Sequence, residues 1–145
     1  MRMKLPKKVE GVLSKIDRAG FEVAIVGGAV RDFLKGEQTR DWDIATKAQP
    51  EEILKLFDDA FYNNIYGTVG IPVSGNIDSI QITTYRKEGA YSDTRHPDKV
   101  IWGKSLEEDL SRRDFTINAM ALRFAGGKLL KLVDPFGGKK DFNFL

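Results

Sequence analysis

Asp41 and Asp43 flank Trp42 in Asp41-Trp42-Asp43-Ile44, and nine residues before Asp41 the chain completes Ile25-Val26-Gly27-Gly28-Ala29-Val30-Arg31-Asp32. Side chains alternate across a strand, so Asp41 and Asp43 share one face while Trp42 and Ile44 take the other. At about 3.4 Å per residue their backbones stand roughly 6.8 Å apart. That leaves room to bridge two divalent ions about 3.5–4 Å apart, which can activate a hydroxyl, stabilise a pentacoordinate phosphorus and neutralise leaving pyrophosphate. Hard carboxylate oxygens suit Mg²⁺. An isolated Asp-x-Asp is more often an acidic, solubilising strand; the preceding glycines reverse that preference.

Gly27-Gly28 interrupts an apolar strand, Val23-Ala24-Ile25-Val26, just before a helix opens. Glycines let a ligand approach the main chain, and the N–H groups and dipole of a helix start favour a polyphosphate. Arg31 falls in the first helical turn, where it can pair with phosphate oxygens, and Asp32 can brace an arginine. Further along, Arg112-Arg113-Asp114-Phe115-Thr116-Ile117-Asn118-Ala119 gathers two guanidinium groups, a carboxylate and an amide. The arginines suit a triphosphate, Asp114 suits a ribose hydroxyl, and Asn118 joins the nucleotide-binding candidates. An ion-pair network that fixes a helix end is the competing reading for the same residues.

These residues must be held by local structure that the pattern also shows. Val9, Val12, Leu13 and Ile16 predict an amphipathic helix over about Lys7 to Arg18, ending near Gly20, with Lys8, Lys15 and Arg18 on a solvated face. A short helix is predicted from Ala29 to Lys35, stopped at Gly36. Pro50 suits the first turn of another, with Ile53, Leu54, Leu56 and Phe57 as its buried side. Strands are predicted at Thr68 to Val73 and Ser79 to Tyr85 around the turn Ser74-Gly75-Asn76, and a hairpin at Ala119 to Phe124 and Leu129 to Val133 around Gly126-Gly127. Ser105-Leu106-Glu107-Glu108 fits a capping box. Lys87 to Lys99 reads as a loop able to fold over a substrate. The whole is expected to be an α/β (α+β) domain, a mixed sheet with flanking helices.

Composition narrows the chemistry. The 145 residues, 41% apolar, suit one domain over 1–145. With no cysteine, thiolate nucleophiles, disulfides and zinc–thiolate sites are excluded, and a single histidine, His96, cannot build a multi-histidine metal site. No apolar run approaches the roughly 20 residues of a membrane helix, and the start Met1-Arg2-Met3-Lys4-Leu5-Pro6 lacks the apolar stretch of a secretory signal. A cytoplasmic protein without membrane partners is the expectation. A net charge of +2 is too mild for bulk electrostatic coating of nucleic acid, so any such contact is local.

The order Gly-Gly-Ala-Val-Arg-Asp, then Asp-Trp-Asp, then Arg-Arg-Asp-Phe-Thr-Ile-Asn-Ala resembles the head domain of class II tRNA nucleotidyltransferases (CCA-adding enzymes) and bacterial poly(A) polymerases. Glu107-Glu108-Asp109-Leu110 before the arginines and Asp134-Pro135-Phe136-Gly137-Gly138 after them extend the likeness over nearly the whole chain. The resemblance implies a polymerase-β-like nucleotidyltransferase fold, catalysis and Mg²⁺ ligation by Asp41 and Asp43, triphosphate contacts from Gly28, Arg31 and Arg113, and ribose recognition by the Arg-Arg-Asp segment. The implied partners are CTP, ATP and a tRNA 3′ end, and the implied reaction adds C, A or both to that end with release of pyrophosphate.

Two departures accompany it. Many relatives carry a glutamate where this chain has Gln81 in Ser79-Ile80-Gln81-Ile82-Thr83-Thr84-Tyr85-Arg86. That leaves open whether a third carboxylate, Asp78 or none, assists here. The family's base-reading Glu-Asp-x-x-Arg helix and its neck, body and tail also have no counterpart before Leu145. The apolar Phe142, Phe144 and Leu145 fit a missing C-terminal region or companion chain. The alternatives are a poly(A) polymerase head acting on RNA 3′ ends and a nucleotide-binding half-protein inactive without that region.

Overall fold

Apolar residues one helical turn apart build the first element of the computed structural model, which describes residues 5–64, 67–86, 102–111 and 119–137. Val9, Val12, Leu13 and Ile16 all turn inward from helix α1 (Lys7–Arg18). The exposed face has a small compensation of its own, because Lys15 Nζ lies 5.3 Å from the centre of the Phe57 ring, a cation–π distance. The chain then runs β1 (Val23–Val26), α2 (Gly28–Leu34), β2 (Asp41–Thr46), α3 (Pro50–Leu56), β3 (Phe61–Asn64), β4 (Thr68–Ile71), β5 (Ser79–Thr84), α4 (Leu106–Ser111), β6 (Ala121–Ala125) and β7 (Lys128–Val133).

The seven strands form one sheet in the order β3-β4-β5-β2-β1-β6-β7. β2 and β5 are parallel, whereas β1 pairs antiparallel with both β2 and β6. The expected mixed sheet with flanking helices is therefore present. β3 was not among the predicted strands. It adds an antiparallel edge to β4, with a register shift between Tyr62 and Asn64.

Alternation gives the sheet two unlike faces. Val23, Ile25, Trp42, Ile44, Val69, Ile71, Ile80, Ile82, Leu122 and Phe124 point to one side, where they join Val9, Leu13, Val30 and Ile53 from α1, α2 and α3. Burying one such branched side chain stabilises by about 1.5–3 kcal/mol, so this face fixes the register of the central strands: a one-residue slip would turn it to water. The opposite face carries small residues where α4 lies on it, since Leu106 and Leu110 pack against Ala24, Val26, Ala45, Ala119 and Ala121. Methyl-sized side chains let a helix settle close to the strands.

Local chemistry sets the ends of these elements. Gln49 and Glu52 form a reciprocal capping box at α3, with Pro50 in its first turn. At α4 the Glu108 N–H donates to Ser105 Oγ at 3.2 Å, while Glu108 Oε1 accepts from the Lys104 N–H at 2.8 Å. The reach-back thus lands one residue before the expected Ser105. Gly126 and Gly127, with φ of 62° and 82°, make the tight turn between β6 and β7 that positive φ at both positions requires.

Candidate active site

The burial pattern of β2 separates its two jobs. Trp42 and Ile44 are 3% and 1% exposed, whereas Asp41 and Asp43 are exposed on the other face. Alternation had predicted this division. The parallel neighbour β5 brings Ser79 beside Asp41 and Gln81 beside Asp43. Ser79 donates its hydroxyl to Asp41 Oδ1 at 2.9 Å, which fixes one oxygen of that carboxylate and leaves the other for a ligand. Nothing local in the sequence singled out Ser79, because its role depends on a pairing between distant strands.

On the other side of β2, β1 runs antiparallel with Val26 opposite Asp43. The chain therefore leaves β1 next to the residues that open β2, and Gly27-Gly28 comes beside the two carboxylates. Gly27 caps α2 with φ 71° and ψ −141°, a backbone region that is essentially glycine-only. Its carbonyl accepts from the N–H groups of Val30 and Arg31 at 3.1 and 3.4 Å. The helix begins at Gly28, one residue before the predicted Ala29. Arg31 folds back over this turn: its Nη2 lies 3.4 Å from where a Cβ on Gly28 would stand. Asp32 Oδ1 approaches the same guanidinium at 3.6 Å, a long contact on a partly exposed pair that stabilises little. A guanidinium above two glycines at a helix start is a geometry suited to phosphate oxygens.

Both positions in question for a third carboxylate, Asp78 and Gln81, are among the described residues. Asp78 is turned to Arg40, which donates to its two oxygens from Nε and Nη2 at 2.9 and 2.8 Å. The Arg40 hydrogen bond, ahead of its charge, holds the Asp78 carboxyl below its usual range; the same bond raises the Arg40 guanidinium. The residue beside Asp43 is the amide of Gln81, whose Oε1 accepts from Asn63 Nδ2 at 2.8 Å. Among the described residues no group of three or more His, Cys, Asp or Glu could hold a metal. Two exposed carboxylates still fit Mg²⁺, which characteristically takes one or two protein carboxylates and completes its shell with water and substrate phosphates.

Arg112, Arg113, Asp114 and Asn118 lie outside the described residues, as do Lys87 to Lys99, Phe142, Phe144 and Leu145. The helix that leads into Arg112 is firmly placed. Asp109 is fully buried, and its Oδ1 accepts the Arg86 N–H at the end of β5 at 3.0 Å. Arg123 on β6 ties Glu107 at 2.8 Å and Glu22 at 3.4 Å. Tyr85 donates its hydroxyl to Glu22 Oε1 at 3.3 Å, and burial, ahead of the Glu22 charge, pushes its pKa far up. Among the described residues no helix is long and apolar enough to cross a membrane.

Comparison with known proteins gives the same direction. Residues 23–144 match the family model described as the poly A polymerase head domain. A CCA-adding enzyme of Ligilactobacillus salivarius is 47% identical over 136 residues, which cover 93% of this chain and 32% of that protein. The crystal structure of the Bacillus stearothermophilus CCA-adding enzyme in complex with CTP superposes with a TM-score of 0.79 at 35% identity, over 97% of this chain and 32% of that one. A tRNA nucleotidyltransferase complexed with a primer tRNA and an incoming ATP analog gives a TM-score of 0.70 at 32% identity, over 91% of this chain and 36% of that one. The chain thus spans about a third of the length of these relatives.

Proposed function

The chain belongs to the poly A polymerase head-domain family, and from that premise we propose that it is the catalytic head of a tRNA nucleotidyltransferase that adds C, A or both to tRNA 3′ ends. One observation carries this reading. Asp41 and Asp43 share an exposed face immediately beside a Gly27-Gly28 turn over which the Arg31 guanidinium is folded. Carboxylates for a metal and a cationic cradle for polyphosphate thus stand side by side.

In the reaction the 3′ hydroxyl of RNA attacks the α-phosphorus of CTP or ATP. A new phosphodiester P–O bond forms, the α–β anhydride bond breaks, pyrophosphate leaves and the hydroxyl proton passes to solvent. Mg²⁺, held by Asp41 and Asp43, would supply charge neutralisation and lower the pKa of the attacking hydroxyl. The N–H groups at Gly27 and Gly28 and the Arg31 side chain bind the triphosphate. Ser79 keeps the Asp41 carboxylate in one orientation. Arg112 and Arg113 add to the triphosphate clamp, Asp114 accepts from the ribose, and Asn118 contacts the nucleotide, roles that rest on the family resemblance. Positioning and preorganised charge supply most of the rate in such chemistry.

The test is incubation of the pure chain with Mg²⁺, a tRNA lacking its 3′-terminal nucleotides, and labelled CTP or ATP separately, with Asp43→Ala as control. Label transfer lost in the variant supports the reading. Turnover unchanged in a well-folded Asp43→Ala overturns the metal assignment. The family model's own description favours a poly(A) polymerase head as the second reading, and product length separates the two: one to three added nucleotides against a long tail. Nucleotide binding without transfer favours a head that works only with a further region like those of the longer relatives, and supplying such a region in trans then tests it.

A further inference from the structure

Four strands place a cross-sheet row on the carboxylate face: Phe61 opposite Gly70, Gly70 opposite Gln81, and Gln81 opposite Asp43. Gly70 offers no side chain, and the Phe61 ring occupies the vacant space. A Cβ built on Gly70 would come 2.6 Å from Phe61 Cε2 and 3.1 Å from Cε1. The ring therefore lies across the strand, yet Phe61 remains 49% exposed. Its neighbours are the linked amides of Asn63 and Gln81, hydrogen-bonding groups of the kind that read base edges. An exposed aromatic ring beside paired amides, with a carboxylate strand next in line, has the make-up of a base-stacking platform.

Which base it takes follows from the direction of the reaction, so the inference rests on the function proposed above. An in-line displacement puts the attacking and leaving oxygens on opposite sides of the phosphorus. The Gly27-Gly28 turn, which receives the polyphosphate, lies on the β1 side of Asp43; Phe61 lies on the β5 side. The attacking strand must therefore enter over β5, β4 and β3. Strands are about 4.8 Å apart, so a ring lying over β4 is roughly 10 Å from the Asp43 backbone, about three stacked-base steps of ~3.4 Å. We propose that Phe61, seated on Gly70, stacks an unpaired base among the last three nucleotides of the RNA 3′ end and so holds that end in line for attack.

The experiment uses the whole chain and short RNAs carrying 2-aminopurine at each of the last three positions in turn, with fluorescence quenching as the report of stacking. The expected result is a quench at one position that Phe61→Leu removes, with an RNA Kd raised about tenfold, or ~1.4 kcal/mol, and that Phe61→Tyr retains. Gly70→Ala, checked for folding by circular dichroism, should reproduce the Phe61→Leu loss by displacing the ring. ATP and CTP affinities should stay at the parent value in both. Equal quenching and Kd in Phe61→Leu, or an equal fall in nucleotide affinity, overturns the platform and leaves the ring as a cover for Gly70. No quench with the parent chain at any position overturns it too. The nucleotidyltransferase reading stands or falls separately, on Asp43-dependent label transfer.

Discussion

The two faces of the sheet are made from the same strands and treated oppositely. One is filled by isoleucines, valines, Trp42 and Phe124 under three helices. The other has alanines where α4 covers it and Asp41, Asp43, Ser79 and Gln81 where the described residues leave it more open. Adjacent residues on β2 therefore belong to different problems: Ile44 holds the register, and Asp43 uses it. A strand pinned from one side presents polar groups on the other at fixed spacing without a polar core to build.

Substitutions that separate the faces should have effects of different kinds. Asp43→Ala should cut label transfer by at least about 10³-fold, ~4 kcal/mol of barrier, while urea unfolding keeps the parent midpoint; a variant that unfolds early would break the division. Its neighbour Ile44→Ala should do the reverse, costing about 2–5 kcal/mol of stability through the cavity it leaves, measured as a lower urea midpoint with an unchanged slope. Gly27→Ala joins the faces at their rim. Its φ of 71° and ψ of −141° impose about 1–3 kcal/mol of strain on any other residue, so both nucleotide affinity and the urea midpoint should fall.

The smallest effect belongs to Asp78, exposed but held by Arg40. Its pKa is depressed in the folded chain relative to the ordinary 3.8. The contribution of this pair is thus complete above 3.8 and is lost as pH falls through the lower folded value. Asp78→Asn should leave transfer unchanged and slightly lower the thermal midpoint at neutral pH. That difference from the parent should shrink on acidification below 3.8. A loss of transfer comparable to Asp43→Ala would instead make Asp78 a third working carboxylate and redraw the site.

Features carried by local pattern were legible in the sequence. The inward stripe of α1, the four buried residues of β1, the alternation of β2 and the Gly126-Gly127 turn each follow from residues within a few positions of one another. β3 was not legible. Phe61-Tyr62-Asn63-Asn64 puts aromatics on both faces and follows them with asparagines, which favour turns, and it becomes a strand only by pairing with β4. The partners of the carboxylates were hidden for a related reason. Ser79 meets Asp41, and Arg40 meets Asp78, across 38 residues of chain, and no local periodicity encodes which residue of β5 stands beside which residue of β2.

That parallel pairing also orders events in time. β1 and β2 can meet early, because a short helix and loop join them and closing such a loop is cheap. β5 reaches β2 only after α3, β3 and β4 have been laid down between them, and nonlocal parallel contacts are slow to form. During synthesis the two carboxylates thus acquire their glycine neighbours first. Ser79 arrives later, so a nascent chain emerging from the ribosome carries Asp41 well before it carries the hydroxyl that orients that carboxylate.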